Sequence, residues 1–327
     1  MAKRIIESHP AVLAKLQGKE VLETIRVSGG RAVSAEIVVF HPGLISGVSN
    51  GALCAAFGAD IVHLNHYDVE KPQIAGMTST NEGKDTWAKA GVSIFQKDEV
   101  EGPPSDFLET LGFGRTIWDL RQSIGRVCSL SLEVDFDGAD APKGRLSTPE
   151  TARKAIDQGA AYLTLVGTPA HSTEVLANNF RKLRQSLGES AMLVAGRMPW
   201  GGSRVGMPDF LHADEVEVMI KAGADMVMLP APGTMPNATM EAITDAVSMA
   251  HKLGAVAEIT IGTTQESSDE GTVRRLALDS RLTGADLFQI GDGGYSGMTI
   301  PENILAFAIA IKGRRHTYRR MALQMQA

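Results

Sequence analysis

Two glutamates stand where buried strands would carry aliphatic side chains. Glu133 interrupts CSLSLEVD (128–135) and Glu258 interrupts AVAEITIG (255–262). An ionised carboxylate in such a run needs a partner or a metal to offset its desolvation. Arg197, closing the run AMLVAGR, is one available partner, which would make the pair an internal salt bridge. The reading adopted is functional: either glutamate is suited to move a proton on the carbon beside a carbonyl, and Arg197 to hold an anionic group.

A second signal is glycine-rich. ITIGTTQES (259–267) and QIGDGGYSGMT (289–299), followed by Pro301, allow backbone N–H groups to approach an anion closely. Gly262, Thr263, Gly293, Gly294 and Ser296 are the expected phosphate cradle. Asp292 is a negative charge among those donors and is expected to turn away, bind a cation or do chemistry. A third signal is LEVDFDG (132–138), where Asp135 and Asp137 could together hold a divalent cation such as Mg²⁺.

The elements that position these residues repeat. Gly58-Ala59-Asp60, Gly159-Ala160-Ala161, Gly223-Ala224-Asp225 and Gly284-Ala285-Asp286 each precede an apolar run at once. Glycine suits a helix C-terminus that must turn left-handed into a strand. The last three copies lie roughly 60 residues apart, about two βα units, and one further apolar run falls in each interval. Eight short strands alternating with amphipathic helices predict a closed (β/α)8, or TIM, barrel. An open doubly wound sheet is the alternative, but no GxGxxG follows the first strand.

A single barrel domain over 1–327 is expected, with residues 1–30 as helices capping its bottom. Residues 67–114 form an insertion after strand 2, either a lid or an oligomer contact, and 313–327 continue the last helix. Polar residues at strand ends are where a barrel does chemistry. They include Glu36, His41, Asn65, His66, Thr168, His171, Trp200, Thr234, Thr260, Thr264 and Glu266, besides those named above. Glu36, Glu133 and Glu258 should meet at one mouth or in the bore. Trp200-Gly201-Gly202 could shield the site. His63 and His66, three apart on a strand, should face opposite ways, with His63 lining the core or the bore.

Three resemblances attach to these motifs. The glycine turns of strands 7 and 8 resemble the phosphate site of phosphate-binding barrels. LEVDFDG resembles the nucleophile motif of haloacid dehalogenase-type phosphohydrolases, which implies attack by Asp135 around Mg²⁺. The same DFDG resembles the Mg²⁺-binding motif of phosphoenolpyruvate mutase and isocitrate lyase barrels, although their cysteine-bearing loop has no counterpart here. As a whole the chain resembles an uncharacterised barrel family labelled haloacid dehalogenase-like or phosphonomutase-like.

Other chemistries are set aside. No lysine ends a strand, as a Schiff-base aldolase would need, and no GxSxG elbow occurs. Cys54 and Cys128 make neither a disulfide framework nor a CxxC site. The net charge of −6 argues against a nucleic-acid partner. The longest apolar run, Ile304 to Ile311, is too short to cross a membrane, and the N-terminus has no secretory core. The expectation is a cytoplasmic, homo-oligomeric enzyme acting on a small phosphorylated carbohydrate or keto acid, of lyase or isomerase type, with no organic cofactor. A Mg²⁺-dependent phosphohydrolase using Asp135 and a non-catalytic phosphometabolite-binding barrel are the alternatives.

Overall fold

The computed structural model describes residues 2–89, 109–198, 209–294 and 296–323. Eight parallel strands close into a barrel in chain order. They are β1 (Ala32–Val38), β2 (Ile61–Asn65), β3 (Val127–Leu132), β4 (Leu163–Gly167), β5 (Leu193–Arg197), β6 (Met226–Pro230), β7 (Val256–Ile261) and β8 (Leu287–Ile290). The ring closes where Ala32 to Ala35 pair with Leu287 to Ile290.

The repeated Gly-Ala-Asp motif does two jobs. Its glycine turns left-handed, with φ of 105° at Gly58, 114° at Gly223 and 83° at Gly284. Its aspartate then grips one residue of the preceding strand twice. The Asp60 N–H donates to the Val33 carbonyl at 2.8 Å while its carboxylate accepts the Val33 N–H at 3.1 Å. Asp225 repeats this on Leu193, and Asp286 on Ala257. Gly159-Ala160-Ala161 keeps only the backbone half, through Cys128. The motif therefore sets strand register at the bottom of the barrel.

Side-chain alternation along each strand separates two apolar layers. Val33, Ala35, Val62, Leu64, Cys128, Leu130, Leu163, Leu165, Ile259 and Phe288 face the helices. Ala32, Ile61, Val127, Val194, Met226, Val256 and Leu287 face inward and meet Ile5, Ile6, Leu13, Val21, Leu22 and Ile25, so the N-terminal helices plug the lower end. Ser49, Thr116, Thr148, Ser172, Thr239 and Asp269 cap helices with their side chains, which fixes where each helix begins.

The last helix, Pro301–Ala322, is broken at Gly313, whose φ is 76°. The break lets both halves reach Asp60: Lys312 pairs with one carboxylate oxygen and Arg320 Nε with the other at 2.8 Å. The described part of the insertion packs on the barrel through Ala75 N–H to the Val39 carbonyl at 2.8 Å, and its own two ends are joined by a bridge between Gln73 and Phe113. The expected lid or oligomer contact falls in part on residues 90–108, which lie outside the described residues.

Candidate active site

The inward positions change character up the bore. The lowest layer is aliphatic, whereas above it β1, β2, β3, β7 and β8 point Ser34, Glu36, His63, Asn65, Ser129, Ser131, Thr260 and Gln289 inward. Of these, Glu36, His63, Asn65, Ser131, Thr260 and Gln289 line a cavity of about 230 Å³ at the C-terminal ends of the strands, together with Glu133, His66, Glu266 and Asp292. Val166, Met198 and Met228 make its apolar wall. A larger cleft of about 520 Å³ opens at the plugged end, beside Gln17, Lys19, Arg153 and Met192, and holds none of the polar strand-end residues. Barrel chemistry belongs to the C-terminal face, so the smaller cavity is the candidate.

Glu36 is its focus. Burial, the Asp292 carboxylate and, to a smaller degree, Glu266 push its pKa up to about 8, against one favourable hydrogen bond from Asn65. That bond, Asn65 Nδ2 to Glu36 Oε1, is 2.9 Å long. The Asn65 amide cannot turn over, because its oxygen accepts the His66 N–H at 2.9 Å. His66 itself has left the strand with a φ of 62°, an uncommon conformation for a residue with a side chain. Strict alternation would put His63 and His66 on opposite faces; the left-handed backbone at His66 brings both to the cavity.

Glu133 lines the cavity and is paired with Arg145 Nη2 at 2.5 Å, and the same guanidinium contacts His66. Glu258 faces the bore from below and does not line the cavity. It is 1% exposed and its Oε1 has no hydrogen-bond partner among the described residues, so burial and Glu36 push its pKa up to about 8. Glu266 also lines the cavity, its carboxyl raised mainly by burial. The three glutamates expected to meet, Glu36, Glu133 and Glu258, thus do so at one mouth and its bore.

Arg197 does not join them. It follows Ala195 on the outward face of β5, and its guanidinium pairs with Glu215 and reaches the Thr173 hydroxyl and His171 carbonyl. That parity makes it a strut between strand and helix. Asp135 also lies off the cavity, 3.9 Å from Lys182 Nζ, with its N–H held by Ser147 and Asn179. Asp137 is exposed. Among the described residues no three His, Cys, Asp or Glu side chains are arranged to hold a metal ion. Trp200, Gly201 and Gly202 lie outside the described residues.

The glycine turns are occupied by the chain itself. Gly294 N–H donates to Asp292 Oδ1 at 2.9 Å, so Asp292 folds back over the turn. Thr264, at a φ of 100°, donates its N–H to Glu266 Oε2 at 2.9 Å. Thr263 Oγ1 lies within hydrogen-bond distance of Thr234 O and Gln265 Oε1, and Ser296 Oγ donates to Pro42 O at 2.8 Å. The Gly293 carbonyl accepts from Ser267. Gly262 and Gly291 line the cavity.

Residues 6–326 match the model of a domain of unknown function, DUF7916. The chain belongs to the DUF7916 family. The match does not extend to the haloacid dehalogenase or phosphonomutase groups that LEVDFDG resembles. No curated protein matches. Solved structures similar to this DUF7916 chain include an archaeal fructose 1,6-bisphosphate aldolase, 13% identical over 87% of this chain and 94% of that one, with a TM-score of 0.46. A second structure of an archaeal fructose-1,6-bisphosphate aldolase, described with its catalytic Lys covalently bound to a carbinolamine intermediate, is 12% identical over 87% and 95%, at 0.46. The ligand-free form of a tryptophan synthase from M. tuberculosis is 12% identical over 89% and 97%, at 0.47. In the DUF7916 chain no lysine or arginine lines the cavity among the described residues. Nor, among those residues, is any helix long and apolar enough to cross a membrane.

Proposed function

We propose that the protein is an enzyme of lyase or isomerase type that moves a proton on the carbon beside a carbonyl in a small hydroxy-carbonyl compound, with Glu36 carrying the proton. The observation behind this is Glu36 itself. It faces a small cavity at the catalytic end of the barrel with a pKa raised to about 8, near the pH at which it would work. A carboxyl poised there is a stronger base than a free one when ionised and remains an effective acid when protonated. Asn65, locked by His66, aims it.

In the step envisaged, the Glu36 carboxylate takes the proton from carbon, and the electron pair moves onto the carbonyl oxygen. An isomerase returns the proton to the neighbouring carbon. A lyase instead runs the same enolate in the direction of carbon–carbon bond making or breaking. The methionine wall of Met198 and Met228 supplies an apolar side that keeps Glu36 poorly hydrated. Glu133 is already paired with Arg145, and Glu258 lies beneath the cavity, which favours Glu36 over either as the base.

The substrate class placed first is uncharged. A phosphate at the glycine turns would have to displace Asp292 and Glu266 from the N–H groups of Gly294 and Thr264. The test is exchange of substrate carbon-bound hydrogen with solvent deuterium. Glyceraldehyde, dihydroxyacetone and their phosphates are the probes, and Glu36→Gln is the control.

A further inference from the structure

We infer that Ser131 is the group that stabilises the developing oxyanion, held as a donor into the cavity by His63 in its Nε2–H form. The inference rests on the proton-transfer reading of the cavity and supplies the electrophile that reading lacks.

His63 lies across from β3, opposite Ser129 in register. Its Nδ1 is 2.8 Å from Ser129 Oγ and its Nε2 is 2.7 Å from Ser131 Oγ. The ring is 3% exposed, and its burial pushes the pKa down to about 4, so it is neutral at ordinary pH. A neutral imidazole carries one proton, hence donates through one nitrogen and accepts through the other. Two arrangements satisfy both serines. In one, Ser131 donates to the ring and offers the cavity only lone pairs. In the other, the ring donates to Ser131, whose own hydrogen is then free to point at a ligand.

The choice between them turns on Tyr162. Its hydroxyl, on a side chain 1% exposed, approaches Ser129 but falls short of hydrogen-bond geometry, and it has no hydrogen-bond partner among the described residues. A phenol keeps its proton here, since burial raises its pKa well above the ordinary value and Glu258 adds to this. It is therefore a donor without a formed hydrogen bond, and Ser129 is the serine it approaches. If the Ser129 oxygen faces Tyr162 as acceptor, its hydrogen goes to His63 Nδ1. The ring then carries its proton on Nε2, which donates to Ser131, and the Ser131 hydroxyl points into the cavity.

Ser131 and Glu36 both line that cavity, whose wall also carries the carboxyls of Glu133, Glu266 and Asp292. When Glu36 takes a proton from carbon, charge moves to the carbonyl oxygen. A preorganised donor at that oxygen is what such a step requires. The hydrogen bond strengthens without transferring its proton, and Glu36 later returns the proton it took, so no group is left short. Ser131 acts on substrate; His63, Ser129 and Tyr162 are positioning residues.

The deciding experiment is nitrogen-15 NMR of histidine-labelled full-length protein, with the His63 ring assigned from the change produced by Ser131→Ala. The expected result is a neutral Nε2–H tautomer down to about pH 5, converted by Tyr162→Phe to a mixture of both tautomers. An Nδ1–H ring in the wild type, or a tautomer indifferent to Tyr162→Phe, overturns the inference. Turnover adds a second arm on the same aldose and ketose probes. Ser131→Ala should lower kcat by about 10²–10³ with KM little changed. If Glu36→Gln abolishes exchange but Ser131→Ala leaves kcat intact, the oxyanion assignment fails alone. If Glu36→Gln leaves exchange intact, it is the proton-transfer reading that fails.

Discussion

The carboxyl of Glu258, on β7, lies in the bore beneath that of Glu36, on β1, and Glu36 adds to burial in pushing the Glu258 pKa up to about 8. Neither carboxyl has a lysine or arginine partner among the described residues. At neutral pH their cheapest state is protonated, which keeps a proton in store at the floor of the cavity.

Stability should record this. The ordinary pKa of Glu258 is 4.5 and its folded value about 8, so the folded state binds the extra proton between those limits. Its contribution is complete below 4.5, declines as pH rises towards 8 and is flat beyond. Glu258→Gln, which cannot ionise, should match wild type near pH 5 and exceed its Tm by a few degrees at pH 9. A Tm difference that does not vary with pH would show that Glu258 is not held protonated.

The pH profile of turnover should carry Glu36. With the ionised form as base, kcat/KM should rise through an inflection near 8. Asp292 is the second contributor to that raised value after burial, so Asp292→Asn should move the inflection down. An inflection that stays in place would mean another group titrates.

Arg197 should matter for folding rather than binding. Arg197→Met removes its ion pair with Glu215 and its contacts to Thr173 and His171, at a cost of about 1.5–3 kcal/mol. KM for the probes should be unchanged. A KM rise of tenfold or more with unchanged stability would restore Arg197 to the substrate.

Asp60 is the anchor of the broken last helix. Asp60→Asn leaves Lys312 and Arg320 buried without their counter-charge, which costs about 3–5 kcal/mol. Urea unfolding measures this directly. A loss below about 1 kcal/mol would show that the two cations find other partners.

The barrel was legible because its signals are local. A glycine-alanine turn followed by an apolar run recurs in four copies, and Ser, Thr or Asp stands at helix starts. The inward polar stripe of Ser129, Ser131 and Glu133 is legible too, as polar residues at every second position of CSLSLEVD. That same count places Ser34 and Glu36 inward on AVSAEIVVF and could have raised Glu36 to first rank. Arg197 went astray for the converse reason: charge alone suggested substrate, while its odd-numbered partners Leu193 and Ala195 face the helices. What no alternation reveals is the turn at His66, where the backbone goes left-handed and adds a second histidine to the cavity. Likewise the glycine turns announce free N–H groups, but only the fold shows Asp292 and Glu266 occupying them.

The central claim is that Glu36 moves a proton between carbon and solvent. Proton NMR in D₂O, with glyceraldehyde, dihydroxyacetone and their phosphates, follows it directly. The expected result is loss of the hydrogen signal beside the carbonyl at a rate set by enzyme, reduced by about 10²–10⁴ in Glu36→Gln. The contrary result is no enzyme-dependent exchange with any of these compounds, or exchange that Glu36→Gln leaves untouched. Binding without exchange would make the cavity a receptor site and Glu36 a structural acid.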